Sequence, residues 1–238
     1  MRFQIPAIVL FLCVLQAPGN ASVYLPAGLN PGDEYQLAFV TINLTTAVAS
    51  TISTYNEFVM DDAGNNPLLG TSSGVTYTAI VSTYNGVDAR VNAVVEDDTT
   101  NDDFMGVYNL DGQRIATGFT DMWDGSIEHP IGQDGIGPAM AWTGTQSSGH
   151  ASDSPLGQDQ YGSSDDYDAT GGDPGGTGFW VDGQLLYQIY QKPLYGLSSV
   201  ITVPDAAPVP EPASVITWAL LGTVGCIGTW WNRRRKAS

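Results

Sequence analysis

An uncharged apolar run from Val215 to Trp231 ends at Asn232 and the block Arg233-Arg234-Arg235-Lys236. It approaches the ~20 residues that a helix needs to cross a bilayer. Trp230 and Trp231 stand where interfacial aromatics belong, and the basic block would hold that end in the cytoplasm. Gly222, Gly225 and Gly228 recur every third residue, a weak signal for close helix packing. The prolines of Val209-Pro210-Glu211-Pro212 keep such a helix from running backwards. At the other end, Arg2, the apolar run Ile5 to Leu15 and the small residues Gly19-Asn20-Ala21 follow the order of a secretory signal peptide. The chain therefore divides into a signal peptide (1–21), an extracellular domain (22–204), a Pro-rich linker (205–213), a transmembrane helix (214–232) and a basic tail (233–238). About 185 residues are left to fold, enough for one domain with a sizeable core.

Charge and cysteine usage narrow what that middle can be. The chain carries 25 acidic residues against 8 basic ones. Away from the ends only Arg90, Arg114 and Lys192 are basic, so the middle repels phosphate backbones and nucleic acid is excluded as a partner. Such a surface attracts cations. Cys13 and Cys226 both lie in the terminal apolar segments. The middle has neither a disulfide nor a thiolate nucleophile.

Short apolar runs between turn residues predict a mixed fold. Tyr35 to Thr41 reads as a strand, and Thr46 to Met60 as a helix with Val48, Ile52, Tyr55 and Val59 on one face. Asp61-Asp62-Ala63-Gly64 should end that helix. Val75 to Ser82 suits a strand or a short helix, and Val87 to Val95 a second short helix. Val107-Tyr108-Asn109-Leu110 runs into Asp111-Gly112, a hairpin turn, with Arg114 to Thr117 as the return strand. Further strands are expected at Ala139 to Thr143, Gly178 to Val181, Leu185 to Gln191 and Leu197 to Val203, with Asp182-Gly183 as another hairpin turn. The polar stretch from Thr143 to Gly178 reads as one long loop.

Catalytic signatures are sparse. His129 and His150 stand in no metal-helix spacing. No G-x-S-x-G elbow, P-loop or dinucleotide fingerprint occurs. Acidic residues in loops suit calcium, which takes six to eight hard oxygen ligands. Asp165, Asp166, Asp168 and Asp173 would wrap one ion; Glu96, Asp97, Asp98, Asn101, Asp102 and Asp103 form a second dense cluster. Solvated acidic loops account for the same residues. Tyr161 and Tyr167 are candidates for stacking on a sugar, whereas Trp142 and Trp180 sit in strand-like runs and suit a core.

Two resemblances add to this reading. Val209-Pro210-Glu211-Pro212, the apolar stretch with Trp and Gly, and the terminal Arg233-Arg234-Arg235-Lys236 together resemble the PEP-CTERM sorting signal of bacteria that export proteins into exopolysaccharide. That resemblance implies recognition of Pro210, Glu211 and Pro212 by an exosortase, a membrane protease. It further implies passage through an inner-membrane intermediate to the cell surface or extracellular matrix. In the middle, Asn109-Leu110-Asp111-Gly112, Met122-Trp123-Asp124-Gly125 and Trp142-Thr143-Gly144-Thr145 follow early helices in an order that resembles the C-type-lectin-like fold, in its endostatin-like branch. The E-P-N or Q-P-D and W-N-D motifs of sugar-binding members are missing. The expectation is a non-enzymatic α+β surface protein, structural or adhesive in a surface or exopolysaccharide matrix, through calcium-bridged contact with carbohydrate. The alternative is a secreted hydrolase acting on surface polysaccharide.

Overall fold

The computed structural model describes residues 23–70, 74–96, 101–132, 140–158 and 168–205. The expected signal peptide, transmembrane helix and basic tail lie outside these residues, as do Pro210, Glu211, Pro212, Arg233, Arg234 and Arg235. No helix of the described residues is long and apolar enough to cross a membrane.

The described chain is a mixed α+β structure, mostly sheet. In chain order it runs β1 (Glu34–Val40), α1 (Ile52–Asn65), β2 (Tyr77–Ala79), α2 (Ala89–Asn92), β3 (Phe104–Tyr108), β4 (Arg114–Ala116), α3 (Phe119–Met122), β5 (Ala141–Trp142), β6 (Asp168–Gly172), β7 (Gln184–Tyr187), β8 (Tyr195–Ser198) and β9 (Ile201–Thr202). A six-stranded sheet has the order β2-β8-β1-β3-β4, with β9 also paired to β1. A three-stranded sheet has the order β5-β6-β7.

Strand β1 organises the larger sheet. It pairs parallel with β3 and antiparallel with β8 and β9, so the first strand lies against the last two. Successive side chains of a strand point to opposite faces. Tyr35, Leu37 and Phe39 accordingly join one core with Tyr55, Val59 and Ala63 of α1. Ala38 joins a second core with Val107, Ile115, Trp123, Trp180 and Tyr195. A strand buried on both faces reads as a near-continuous apolar run, as Leu37-Ala38-Phe39 does. Gln36 is the polar exception at 1 % exposure. Its Nε2 donates to Val94 O at 2.9 Å and Ser198 O at 2.8 Å, and its Oε1 accepts from Glu96 N at 2.9 Å. A buried amide satisfied in this way pins strand to strand at little net cost. Tyr35 donates its hydroxyl to Tyr24 O at 2.8 Å, and burial pushes that phenol up to about 12.

Helix α1 starts later and ends later than the apolar spacing predicts. The chain from Thr45 to Ala47 is tied to the far end of the sequence: Thr45 N donates to Lys192 O and Ala47 N to Gln188 O, each at 2.8 Å. Thr45 O and Ala47 O, which a helix from Thr46 would offer to N–H groups four residues on, instead accept Lys192 N at 2.9 Å and Gly157 N at 2.7 Å, so Val48 lies outside the helix and exposed. Tyr55, Val59, Asp62 and Ala63 form the buried face. Asp61-Asp62-Ala63-Gly64 does not end the helix, because Asp62 belongs to that face. Only 2 % exposed, Asp62 accepts Ile42 N at 3.0 Å, Asn43 N at 2.9 Å and Asn43 Nδ2 at 2.8 Å. The carboxylate anchors the loop leaving β1.

The hairpin from β3 to β4 forms where the sequence places it, with Val107 opposite Ala116 and Tyr108 opposite Arg114. Its turn is wider than Asp111-Gly112, closing from Asn109 N to Gln113 O at 2.9 Å. Asn109 Oδ1 accepts from Asp111 N and Gln113 N, and Gly112 holds a φ of +80° that a side-chain-bearing residue rarely adopts. Elsewhere the elements differ. The stretch Thr143 to Gly178, read as one loop, contains β6, the central strand of the smaller sheet. Its sequence Asp-Ala-Thr-Gly-Gly carries little strand propensity. Gly172 is needed there because a Cβ would collide with Trp180 O. Gly178 to Val181 is not a strand. It is an irregular turn that buries Trp180 and Val181, held by Asp173 N to Phe179 O at 2.9 Å. Asp182-Gly183 is likewise no two-residue turn, since the connection between β6 and β7 starts at Asp173. The run Leu197 to Val203 splits into β8 and β9, and Leu185 to Gln191 is a strand only up to Tyr187. Of the short helices, α2 falls within Val87 to Val95, whereas α3 was not expected.

Candidate functional site

The acidic candidates do not converge among the described residues. Asp168 opens β6 and Asp173 follows its last residue. Strand residues rise about 3.3 Å each, which sets the two backbones about 16 Å apart. Calcium ligands lie about 2.3–2.6 Å from the ion, so this pair does not share one. Asp173 Oδ1 instead accepts Gly175 N at 3.0 Å and shapes its own turn. Asp165, Asp166, Tyr161 and Tyr167 lie outside the described residues. In the other cluster, Asn101 Nδ2 donates to Glu34 Oε2 at 2.7 Å, and Asp103 O accepts Glu34 N at 2.7 Å, so both serve the start of β1. No group of three or more His, Cys, Asp or Glu positioned to hold a metal occurs among the described residues.

The histidines sit in separate places. His129 Nδ1 is 2.8 Å from Arg114 O, beside the Arg114–Glu128 ion pair, whose nitrogen and oxygen stand 3.2 Å apart on the surface. His150 Nδ1 lies 2.8 Å from Asp88 Oδ2, and Asp88 Oδ1 accepts Ala151 N at 2.9 Å. This staple joins the residue before α2 to the loop after β5. Desolvation alone would raise the Asp88 carboxyl, but the Ala151 N–H, His150 and Arg90 outweigh it and hold the group below its ordinary 3.8. A carboxyl depressed in the folded state contributes stability above its unfolded value and loses it as pH falls through the folded one. The stability gap between the wild type and Asp88→Asn is therefore expected to stay constant above about pH 4 and to shrink below it. Denaturant titrations across pH 2–6 read this out, and a gap unchanged at pH 2 would rule the staple out as an acid-labile contact.

One cleft gathers side chains suited to holding a ligand. It encloses about 590 Å³. Four separate segments of the described chain line it. Ser50 comes from the chain entering α1, Tyr84 and Asn85 from the turn after β2, Gln158 from the described chain that precedes β6, and Gln188 and Ile189 from the turn after β7. Backbone hydrogen bonds lock these segments together. Gly157 N donates to Ala47 O at 2.7 Å, Tyr84 N to Leu156 O at 2.9 Å and Ala47 N to Gln188 O at 2.8 Å. Side chains complete the frame: Asn85 Nδ2 donates to Ser50 Oγ at 3.2 Å, and Gln188 Nε2 to Gln158 O at 3.1 Å. Tyr84 and Ile189 stand out at 55 % and 69 % exposure, while Gln188 is buried at 4 %. Among the described residues, the buried Gln158 Oε1 has no hydrogen-bond partner.

Sequence reasoning did not single out Tyr84, Asn85, Gln158 or Gln188. Asn85-Gly86 was legible as a turn, with Gly86 at a φ of +87°, but nothing in the sequence indicates that this turn meets residues near 157 and 188. No protein-family model matches the chain, and no curated protein matches its sequence.

Proposed function

We infer that the chain is an exported cell-surface or exopolysaccharide-matrix protein, adhesive rather than catalytic. The P-E-P tail is the address: Pro210, Glu211 and Pro212 form the element read by an exosortase-type membrane protease, with Arg233, Arg234 and Arg235 holding the tail in the inner membrane beforehand. The observation that carries the adhesive reading is the cleft, whose described lining of Tyr84, Asn85, Gln158 and Gln188 is suited to binding. A polysaccharide hydrolase would place two carboxylates across its substrate, and the described side chains at this cleft are uncharged.

The C-type-lectin-like form of the fold is part of the same proposal. Pairing of the first strand with the last two, a helix directly after β1, and a smaller sheet begun by Ala141-Trp142 support it. Calcium bound by Asp165 and Asp166 belongs to the proposal too, through the long acidic stretch rather than through the cleft.

The test uses protein purified from its native host. Intact mass should lack the Arg-Arg-Arg-Lys end, and the protein should co-sediment with the host's own exopolysaccharide. A retained basic end would overturn exosortase processing, and failure to co-sediment with or without calcium would overturn the adhesive role.

A further inference from the structure

The described lining of the cleft is uncharged in a chain of net charge −17. Every described side chain that lines it is neutral. A site for a cation would bring carboxylates to bear, and a site for phosphate or a uronate would bring arginine or lysine. The acidic surface opposes an anion's approach in any case. What remains is a neutral ligand, and the lining sets its character. Exposed Tyr84 and Ile189 offer apolar surface, to which Val48 adds at 56 % exposure. Beside them stand three amides and a hydroxyl: Asn85, Gln158, Gln188 and Ser50. A purely apolar ligand would strip water from these amides without replacing its hydrogen bonds, which penalises each group left unpaired. A pyranose has C–H faces that lie against an aromatic ring and an equatorial rim of hydroxyls that donate and accept. The volume, about 590 Å³, falls within the range of small-molecule sites, ~300–1,000 Å³.

From these features we propose that the cleft is a calcium-independent subsite for an uncharged saccharide, with one sugar ring against Tyr84 and its hydroxyls on Asn85 and Gln158. This rests on the adhesive reading above and gives it a place and a ligand class. It separates two contributions that the sequence left merged: the acidic stretch is the place for calcium, and the cleft holds sugar without it. The frame is already closed by backbone hydrogen bonds between its walls, so little ordering is left to be done on binding.

The experiment is calorimetric titration of the full chain with cellohexaose and maltohexaose, and with hexagalacturonate as the charged counterpart, each with calcium and with a chelator. At least one uncharged hexamer should bind equally in both conditions, and hexagalacturonate should bind at least about tenfold more weakly. Tyr84→Ala should weaken binding by about tenfold, the scale of an exposed aromatic anchor, while Tyr84→Phe stays close to wild type. Tyr84 is half exposed, so its truncation should leave the melting temperature unchanged, which separates a binding defect from unfolding. Preference for the uronate, loss of binding on chelation, binding unaffected by Tyr84→Ala, or no binding of either uncharged hexamer would each overturn the proposal. Co-sedimentation of Tyr84→Ala with the host exopolysaccharide separates the two levels. If it persists, the adhesive reading stands and the cleft assignment falls. If the wild type itself fails to co-sediment, the adhesive reading falls.

Discussion

Replacing Trp142 by alanine is expected to destabilise the protein by about 4 kcal/mol, lowering its melting temperature by about 10 °C. Trp142 lies in β5 and is fully buried in the core shared with α1. Its indole Nε1 donates to Thr45 O at 3.1 Å and to Tyr190 O at 3.3 Å. Its backbone N donates to Pro193 O at 2.9 Å, directly before the chain enters β8. One side chain thus ties the smaller sheet to the segment preceding α1 and to the turn after β7. Alanine would leave a cavity and take the indole donor from Tyr190 O, while Thr45 O keeps its bond from Lys192 N at 2.9 Å. Trp142→Phe keeps most of the volume but not the N–H, and should cost roughly half as much. Thermal melts followed in the near-ultraviolet, where buried indoles report tertiary packing, give the comparison. A loss below about 1 kcal/mol for Trp142→Ala would remove this residue as the link between the two sheets.

Gly157→Ala should combine instability with loss of the cleft. Gly157 has a φ of +72°, in the left-handed region where an L side chain costs about 1–2 kcal/mol. A Cβ there would also run into Ala49 O and the Ser50 backbone, closer than real Cβ atoms approach. The Gly157 N to Ala47 O bond, at 2.7 Å, holds these strands of chain together and would have to lengthen. We expect a total cost of about 3 kcal/mol, and saccharide binding weakened by more than the Tyr84→Ala change produces. Gly86→Ala is the control. Its φ is +87° but nothing lies within 4 Å of the added Cβ, so only the dihedral cost of about 1 kcal/mol should appear. If both alanines cost the same, the close approach of the walls at Gly157 is not what shapes the cleft.

Some elements could be read from local sequence because local physics decides them. Tyr35 to Thr41 is apolar except at Gln36 and Thr41, as suits a strand covered on both faces, and β1 occupies nearly that span. Asn109 to Gly112 carries its own turn instructions, an amide that caps two backbone N–H groups and a glycine for the positive φ. The start of α1 was misplaced for the opposite reason. Thr46 to Ser50 has helical apolar spacing, but the backbone of Ala47 is committed to residues 157 and 188 and that of Thr45 to 192, partners that no window of sequence contains. Strand β6 was invisible because Gly171 and Gly172 are chosen for close approach to Ala141 O and Trp180 O rather than for strand propensity.

The same division holds for the site. Sequence alone determined the sign of the charge, the want of cysteine chemistry in the middle and the α+β class, since composition and contiguous order suffice for each. Only tertiary structure brought the cleft together. Tyr84, Gln158 and Gln188 are far apart along the chain and individually ordinary, and they become a cleft only because Ala47 N meets Gln188 O and Gly157 N meets Ala47 O. Tertiary structure also decided the fate of the acidic residues. Asp62 became a buried anchor for three N–H groups, and Asp168 and Asp173 were set apart by the extended strand between them. Hydrogen bonds between distant backbone groups carry no local signature, because every residue but proline offers the same donor and acceptor, and the fold alone selects which of them meet.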